Sequence, residues 1–176
     1  PADLILGTNK CVSSSGTTIA VFRYIHNRTI LWGTVIFAIS AALVGSVIGA
    51  ALSTYLSRNI IFILLLLVIP FLFYLQSRHL QSPGLKPELT KRQIVCRAIL
   101  AGFFIGGYDG IFGPGTGTFL LFAFMMFLHM NLREASANAR IVNYASNVSA
   151  FFYFLIQGRI YWPIALVAIA GSISGN

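Results

Sequence analysis

The sequence predicts an all-α, polytopic transmembrane helical bundle made of two internal repeats with a glycine-rich re-entrant or broken helix. Three observations predict it. First, 57% of the 176 residues are hydrophobic and only 9% charged, whereas a soluble domain carries about 25% charged residues. The mean hydropathy of +0.81 agrees. Second, the apolar residues gather into runs, several of them near the roughly 20 residues that a hydrocarbon core requires. Third, one run is broken by Gly113-Pro114-Gly115-Thr116-Gly117-Thr118, and the chain around it repeats itself at a fixed offset.

Composition also excludes function classes. The net charge of +8 could indicate a nucleic-acid partner. However, the Lys and Arg residues stand mainly at the ends of apolar runs, where they set membrane topology, and no basic stripe with interleaved aromatics is present. Cys11 and Cys96 lie in apolar segments without metal or disulfide spacing, which reads as small packing residues. His26, His79 and His129 share no ligand spacing. No metal and no cofactor is called for.

Taken in order, Leu4 to Ile25 is an apolar stretch interrupted by Thr8, Asn9, Lys10 and the serines 13–15. Ile30 to Ser53 follows, with Gly33, Ala38, Ala41, Ala42, Gly45, Gly49 and Ala50 as small residues. Such residues let helices approach closely in lipid, which places this helix inside the bundle. Ile60 to Gln76 is almost wholly aliphatic and aromatic, with Pro70, and is expected to face lipid. Ser77 to Gln93 is an aqueous linker carrying Arg78, Lys86, Lys91 and Arg92, cytoplasmic by the positive-inside rule. The turn His26 to Thr29, flanked by Arg23 and Arg28, falls on the same side. Asn27-Arg28-Thr29 matches a glycosylation acceptor but lies in that inside turn.

From Ile94 the pattern changes. Two arms of about 15 residues, each short of a full crossing, flank the break at Gly113 to Thr118, and the second resumes as Phe119 to Met130. Ala135 to Gln157 and Ile160 to Asn176 complete the chain as two further spans.

Setting Trp32 against Trp162 gives an offset of 130 (162 − 32) without a gap. Val12, Ala20, Phe22, Ile30, Ala38, Ile39 and Gly45 then meet identical residues. Lys10 meets Arg140, Ser13 meets Asn143, and Thr17 meets Asn147. Duplication of this kind is a habit of transporters, which place substrate at the repeat interface. The organisation expected is residues 1–76 as the C-terminal part of a first repeat, 77–93 as the linker, and 94–176 as the N-terminal part of a second. By the same offset, about 36 residues are expected before Pro1 and roughly 48 beyond Asn176. A hairpin that returns to its own side makes the repeats inverted and one that crosses makes them parallel; the inverted arrangement is adopted here.

Lys10, Asp109 and Arg140 lie in segments otherwise fit for the membrane, where a central charge costs at least ~2.5–3.5 kcal/mol and normally faces a cavity or a partner. Lys10 and Arg140 near helix ends could instead snorkel. Arg140, Asn143 and Asn147 share one helix face, and Lys10, Ser13 and Thr17 repeat it. A cation with hydrogen-bonding neighbours suits an anion, and a polar seam between helices is the plainer reading. Asp109 could pair with Lys10 or Arg140, or carry a proton. The amides of Gly115, Thr116, Gly117 and Thr118 would open the helix that begins near Phe119, a natural seat for an anion, unless the break is only a kink. The glycines are not a Walker A loop, since no Lys follows them. The candidate substrate-binding set is Asn9, Lys10, Ser13, Asp109, Gly115, Thr116, Gly117, Thr118, Arg140, Asn143 and Asn147.

Three stretches carry a family resemblance. Gly7-Thr8-Asn9-Lys10, Tyr108-Asp109-Gly110-Ile111-Phe112-Gly113-Pro114-Gly115-Thr116-Gly117-Thr118-Phe119, and Ala137 through Asn147 together resemble the sulfite exporter TauE/SafE family. The resemblance runs over essentially the whole chain. It implies a multi-pass permease of a bacterial inner (plasma) membrane that moves sulfite, sulfonates or related sulfur-containing small anions outward, with the lipid bilayer as its surroundings. It also implies a two-halved protein whose first glycine-rich hairpin and last spans are absent here. Protons as coupling ion and assembly as a homodimer are both open to such a permease. A passive anion channel made from the same parts is the alternative. A membrane-embedded enzyme is disfavoured, because one intramembrane acid provides neither a carboxylate pair nor a nucleophile and its base.

Overall fold

The computed structural model describes residues 2–26, 30–77 and 89–174. These residues form seven helices and no strand: α1 (Ala2–His26), α2 (Trp32–Ser53), α3 (Arg58–Ser77), α4 (Lys91–Ile111), α5 (Thr116–Phe127), α6 (Leu132–Ile156) and α7 (Trp162–Ser174). The all-helical expectation holds. Most of the Ser77 to Gln93 linker, the turn after His26 with its glycosylation match, and the two terminal residues at Gly175 and Asn176 lie outside the described residues.

The serine-rich stretch does not interrupt α1. Ser14 and Ser15 donate to the carbonyl of Cys11, Thr17 to Ser13 and Thr18 to Ser14. Back-bonding of this kind satisfies hydroxyls without a partner helix or water.

The first arm of the broken segment is longer than the sequence reading allowed. Thr90 and Gln93 form a reciprocal capping box, so α4 starts at Lys91 rather than Ile94 and runs for 21 residues. At 1.5 Å per residue that is roughly 31 Å, enough to cross a hydrocarbon core. α5 has 12 residues, about 18 Å, and only this arm is short. It also begins at Thr116, three residues before the expected Phe119.

The core sits where α2, α4, α5 and α6 meet, around Val35, Ala38, Leu120, Phe124, Ala135 and Val142. α4 lies along α2 at backbone contact. A methyl group at Gly102 would collide with the carbonyl of Ala38, one at Gly106 would lie 2.7 Å from the Cα of Ala42, and one at Gly110 would collide with the carbonyl of Ser46. Gly45 and Gly49 approach α4 in the same way. Small residues on both helices provide the close packing on which helix association in lipid depends. Of the expected stripe on α2, Ala38, Ala42, Gly45, Gly49 and Ala50 are buried, while Gly33 is exposed.

α3 presents Phe62, Ile63, Leu66, Leu67 and Ile69 outward and packs little on the other described helices. That outer surface suits hydrocarbon rather than water.

α1 and α6 each span 25 residues, and α2 and α7 both open on a tryptophan, Trp32 and Trp162. α1 packs on α7 and α2 packs on α6. The entry of each second helix is held by the other first helix. The Tyr161 amide donates to Thr8 Oγ1 at 3.0 Å, and the Leu31 amide donates to Asn138 Oδ1 at 3.1 Å. Thr8 and Asn138, like Leu31 and Tyr161, stand 130 residues apart, so the two bonds join residue pairs related by that offset.

Candidate functional site

The turn between α4 and α5 is a set of braced backbone bends. Gly113 and Gly115 adopt φ of +96° and +79°, a region that side chains with a Cβ avoid. Tyr108 Oη donates to the Pro114 carbonyl at 2.6 Å, and its ring meets Phe119 edge-on at 5.2 Å. The Thr116 amide bonds Gly113 O, and the Phe119 amide is the first to bond across the helix entry, to Gly115 O at 3.0 Å. Gly115 caps α5 with no side chain. The Gly117 and Thr118 amides are therefore first-turn donors that the helix leaves without an intrahelical carbonyl.

Beneath this turn lies a buried ion pair. Lys10 Nζ is 2.8 Å from Asp109 Oδ1, with each side chain 1% exposed. Lys10 also donates to Asn147 Oδ1 at 3.1 Å. Asp109 accepts Thr116 Oγ1 at 2.8 Å on one oxygen and Ser146 Oγ at 2.7 Å on the other. Ser46 Oγ reaches across from α2 to the carbonyl of Ser146. Four helices (α1, α4, α5 and α6) thus meet on one carboxylate, and the added hydrogen bonds are what a buried pair requires to offset its desolvation. Of the two partners open to Asp109, the structure selects Lys10, and Lys10 does not snorkel. Gly113 closes over the pair; a methyl group there would stand 3.0 Å from Lys10 Nζ.

Above the pair, two adjoining polar hollows of about 310 and 320 Å³ share Thr17, Gly117 and Asn143. The first is also bounded by Asn9, Ser13, Gly115, Thr116 and Asn147, and the second by Thr118 and Arg140. Nine of the eleven candidate residues therefore line one polar space. The other two, Lys10 and Asp109, stand behind its wall. Ser13 and Asn143, and likewise Thr17 and Asn147, stand 130 residues apart, and the space lies between α1, α5 and α6. Asn147 links wall and lining, accepting from Lys10 and donating to Asn143. Arg140 is exposed within the described chain and brings a positive charge to the hollow.

Sequence reasoning missed Ser146 and Ser46, which hold Asp109 and α2 in place, and Thr8 and Asn138, which join α1 to the start of α7 and α6 to the start of α2. Ser146 carried a signal, since it is three residues after Asn143 on the polar face of α6. Ser46 carried none, because only the approach of α2 gives it a partner. We expect Thr116→Val, which keeps the shape and removes the hydroxyl on Asp109, to cost about 1–3 kcal/mol. Thermal unfolding in detergent micelles measures it, and an unchanged midpoint would mean that the carboxylate does not need this donor.

Comparison with known proteins gives one family. The family described as "Sulfite exporter TauE/SafE" matches residues 1–176. The chain is 33% identical to the "Probable membrane transporter protein" of Haemophilus influenzae, over 99% of this chain and 68% of that protein. It is 31% identical to the "Probable membrane transporter protein YfcA" of Escherichia coli K12, over 97% of this chain and 63% of the relative. A third relative, the "Probable membrane transporter protein ORF9" of Sinorhizobium sp., is 31% identical over 97% of this chain and 65% of its own length. The chain thus spans about two thirds of the length of these relatives. No solved structure matches.

Proposed function

Since the chain belongs to the sulfite exporter TauE/SafE family of membrane transporters, we propose that it forms the substrate-binding part of a permease for small anions. Sulfite, sulfonates or related sulfur-containing anions are the cargo and export is the direction. The observation that carries this reading is the polar space at the junction of α1, α5 and α6, which is rich in donors. The Gly117 and Thr118 amides and the positive end of the α5 dipole favour a negative guest. Thr118 and Asn143 add side-chain donors, and Arg140 adds a full charge. Asp109, the acid near the space among the described residues, is paired with Lys10 and does not repel an anion.

The roles divide accordingly. Asn9, Ser13, Gly115, Thr116, Gly117, Thr118, Arg140, Asn143 and Asn147 line the path of the anion. Lys10 and Asp109 fix the wall by tying α1 to the glycine turn. The paired positions on the two halves support a two-repeat transporter that exposes this space alternately to each side, with the inverted arrangement as its basis. The bilayer surrounds it, and protons are the coupling ion proposed.

The test is sulfite flux in proteoliposomes containing the full-length polypeptide, with and without a pH gradient. Accumulation against the sulfite gradient, driven by the pH gradient, is expected. Flux that only relaxes a gradient would make the protein a channel, and no flux of any sulfur oxyanion would refute the cargo. Arg140→Ala is expected to raise the half-saturating sulfite concentration at least tenfold, because one charge-assisted contact contributes about 1.5–3 kcal/mol. Unchanged saturation would remove Arg140 from the site.

A further inference from the structure

The two polar hollows differ in what they offer a guest. Donors and positive charge collect in the second, bordered by Arg140, Thr118 and Gly117, where the Gly117 and Thr118 amides open α5. The first is bordered by three oxygens whose protons are turned elsewhere, on Thr17, Thr116 and Asn147. Thr17 donates its hydroxyl proton to the carbonyl of Ser13. Thr116 has one proton and two acceptors for it, Asp109 Oδ1 at 2.8 Å and Gly113 O at 2.7 Å. Asn147 sends its amide protons to Asn143 and turns Oδ1 to Lys10, since an ammonium group has donors only.

Each of these oxygens keeps a lone pair, and the oxygens of a deprotonated sulfur anion, which carry lone pairs only, cannot bond it. Pressing them together costs desolvation without a bond in return. A four-atom oxyanion also leaves most of the space unfilled, for the hollows measure about 310 and 320 Å³ and one water takes about 30 Å³. Thr17 borders both hollows, so its oxygen is within reach of a short guest whose charge sits in the second. We propose that the cargo is two-ended, a short-chain sulfonate bearing a hydroxyl. Its anionic head lies at Arg140 and the Gly117 and Thr118 amides, and its hydroxyl donates to Thr17 Oγ1, with the Thr116 and Asn147 oxygens as further acceptors. This rests on the small-anion reading above and narrows its cargo.

A neutral donor suits this end better than an ammonium group. Lys10 stands behind the wall, 3.1 Å from Asn147 Oδ1, and Arg140 borders the adjoining hollow. Asp109, the carboxylate that could attract a cation here, is engaged by Lys10. Asn9 and Ser13 also border the first hollow and can donate or accept, which matches a hydroxyl, itself both donor and acceptor. A methyl group in place of the hydroxyl would displace water from these oxygens and return none of its bonds.

The experiment measures flux in proteoliposomes of the full-length polypeptide. It compares hydroxyethanesulfonate with propanesulfonate, of equal size with a methyl group for the hydroxyl, and with aminoethanesulfonate. The hydroxyl compound is expected to half-saturate at a concentration about three- to tenfold below the other two, the worth of one neutral hydrogen bond. Thr17→Val, which keeps the shape and removes the oxygen, is expected to shrink that ratio, and Thr17→Ser to keep it. Equal constants in the parent protein, a preference for the amino compound, or a ratio unmoved by Thr17→Val would each overturn the proposal; if Thr17→Val does not fold, the parent comparison decides. Sulfite flux is read in the same vesicles. Sulfite and all three sulfonates moving with equal constants would end this inference and leave the anion reading standing, whereas no flux of any of them would end both.

Discussion

Lys10→Ala is expected to lower stability by about 3–5 kcal/mol, the usual consequence of leaving one member of a buried ion pair alone. The substitution removes a cation 2.8 Å from a carboxylate that is 1% exposed. It also strips Asn147 of a donor and leaves space beneath Gly113, which packs on the lysine tip. Asp109 keeps its two hydroxyl donors from Thr116 and Ser146, but those do not cancel a full charge in a low-dielectric surrounding. The double variant Lys10→Met with Asp109→Asn should recover most of the loss, because two neutral side chains of similar size remove both desolvation costs along with the attraction. Unfolding midpoints of parent, single and double variants in the same detergent measure this. A single variant as stable as the parent would show that the pair is not what ties α1 to the glycine turn.

Gly110→Val is expected to cost more than about 3 kcal/mol, above the usual range for an overfilled core, because the obstacle is backbone. The added Cβ would overlap the carbonyl of Ser46 and lie 2.7 Å from the amide of Ala50, and neither can turn aside as a side chain could. α4 would have to lift from α2, losing contacts along the Gly102, Gly106 and Gly110 row, where association in lipid depends on close approach. The shift would also displace the neighbouring Asp109 from its partners on three other helices, Lys10, Thr116 and Ser146. Gly33→Ala is the control, since a methyl group there meets nothing within 4 Å and exchanges glycine for a better helix former, a change of at most about 1 kcal/mol. Thermal unfolding should separate the two by well over the control's shift. Equal midpoints would mean that α2 and α4 are not in backbone contact.

Local chemistry explains which features could be read in advance. The apolar runs, the glycine break and the polar faces of α1 and α6 are legible because each is periodic within one segment, and lipid enforces helix wherever backbone polar groups have no water. The start of α4 was equally local, since Thr90 and Gln93 spell a capping box, yet the apolar pattern alone drew the boundary at Ile94. The same signal would have given the arm its full crossing length.

Sequence alone identified the helical membrane class, the family, the internal offset and eleven candidate residues, nine of which line the polar space. The class and the candidate residues follow from side-chain type and spacing along single segments, the offset from comparing two segments, and the family from the resemblance of three motifs. Only the tertiary structure decided that Lys10 meets Asp109 rather than facing the cavity, because that choice depends on how close α4 comes to α1. It alone brought Ser146 to the carboxylate and Ser46 to the carbonyl of Ser146, and paired Thr8 with Tyr161 as Asn138 pairs with Leu31. The physical reason is that the energy of a buried charge is fixed by all of its neighbours within a few ångströms, and those of Asp109 come from three other helices, α1, α5 and α6, of which α1 is far off in the chain.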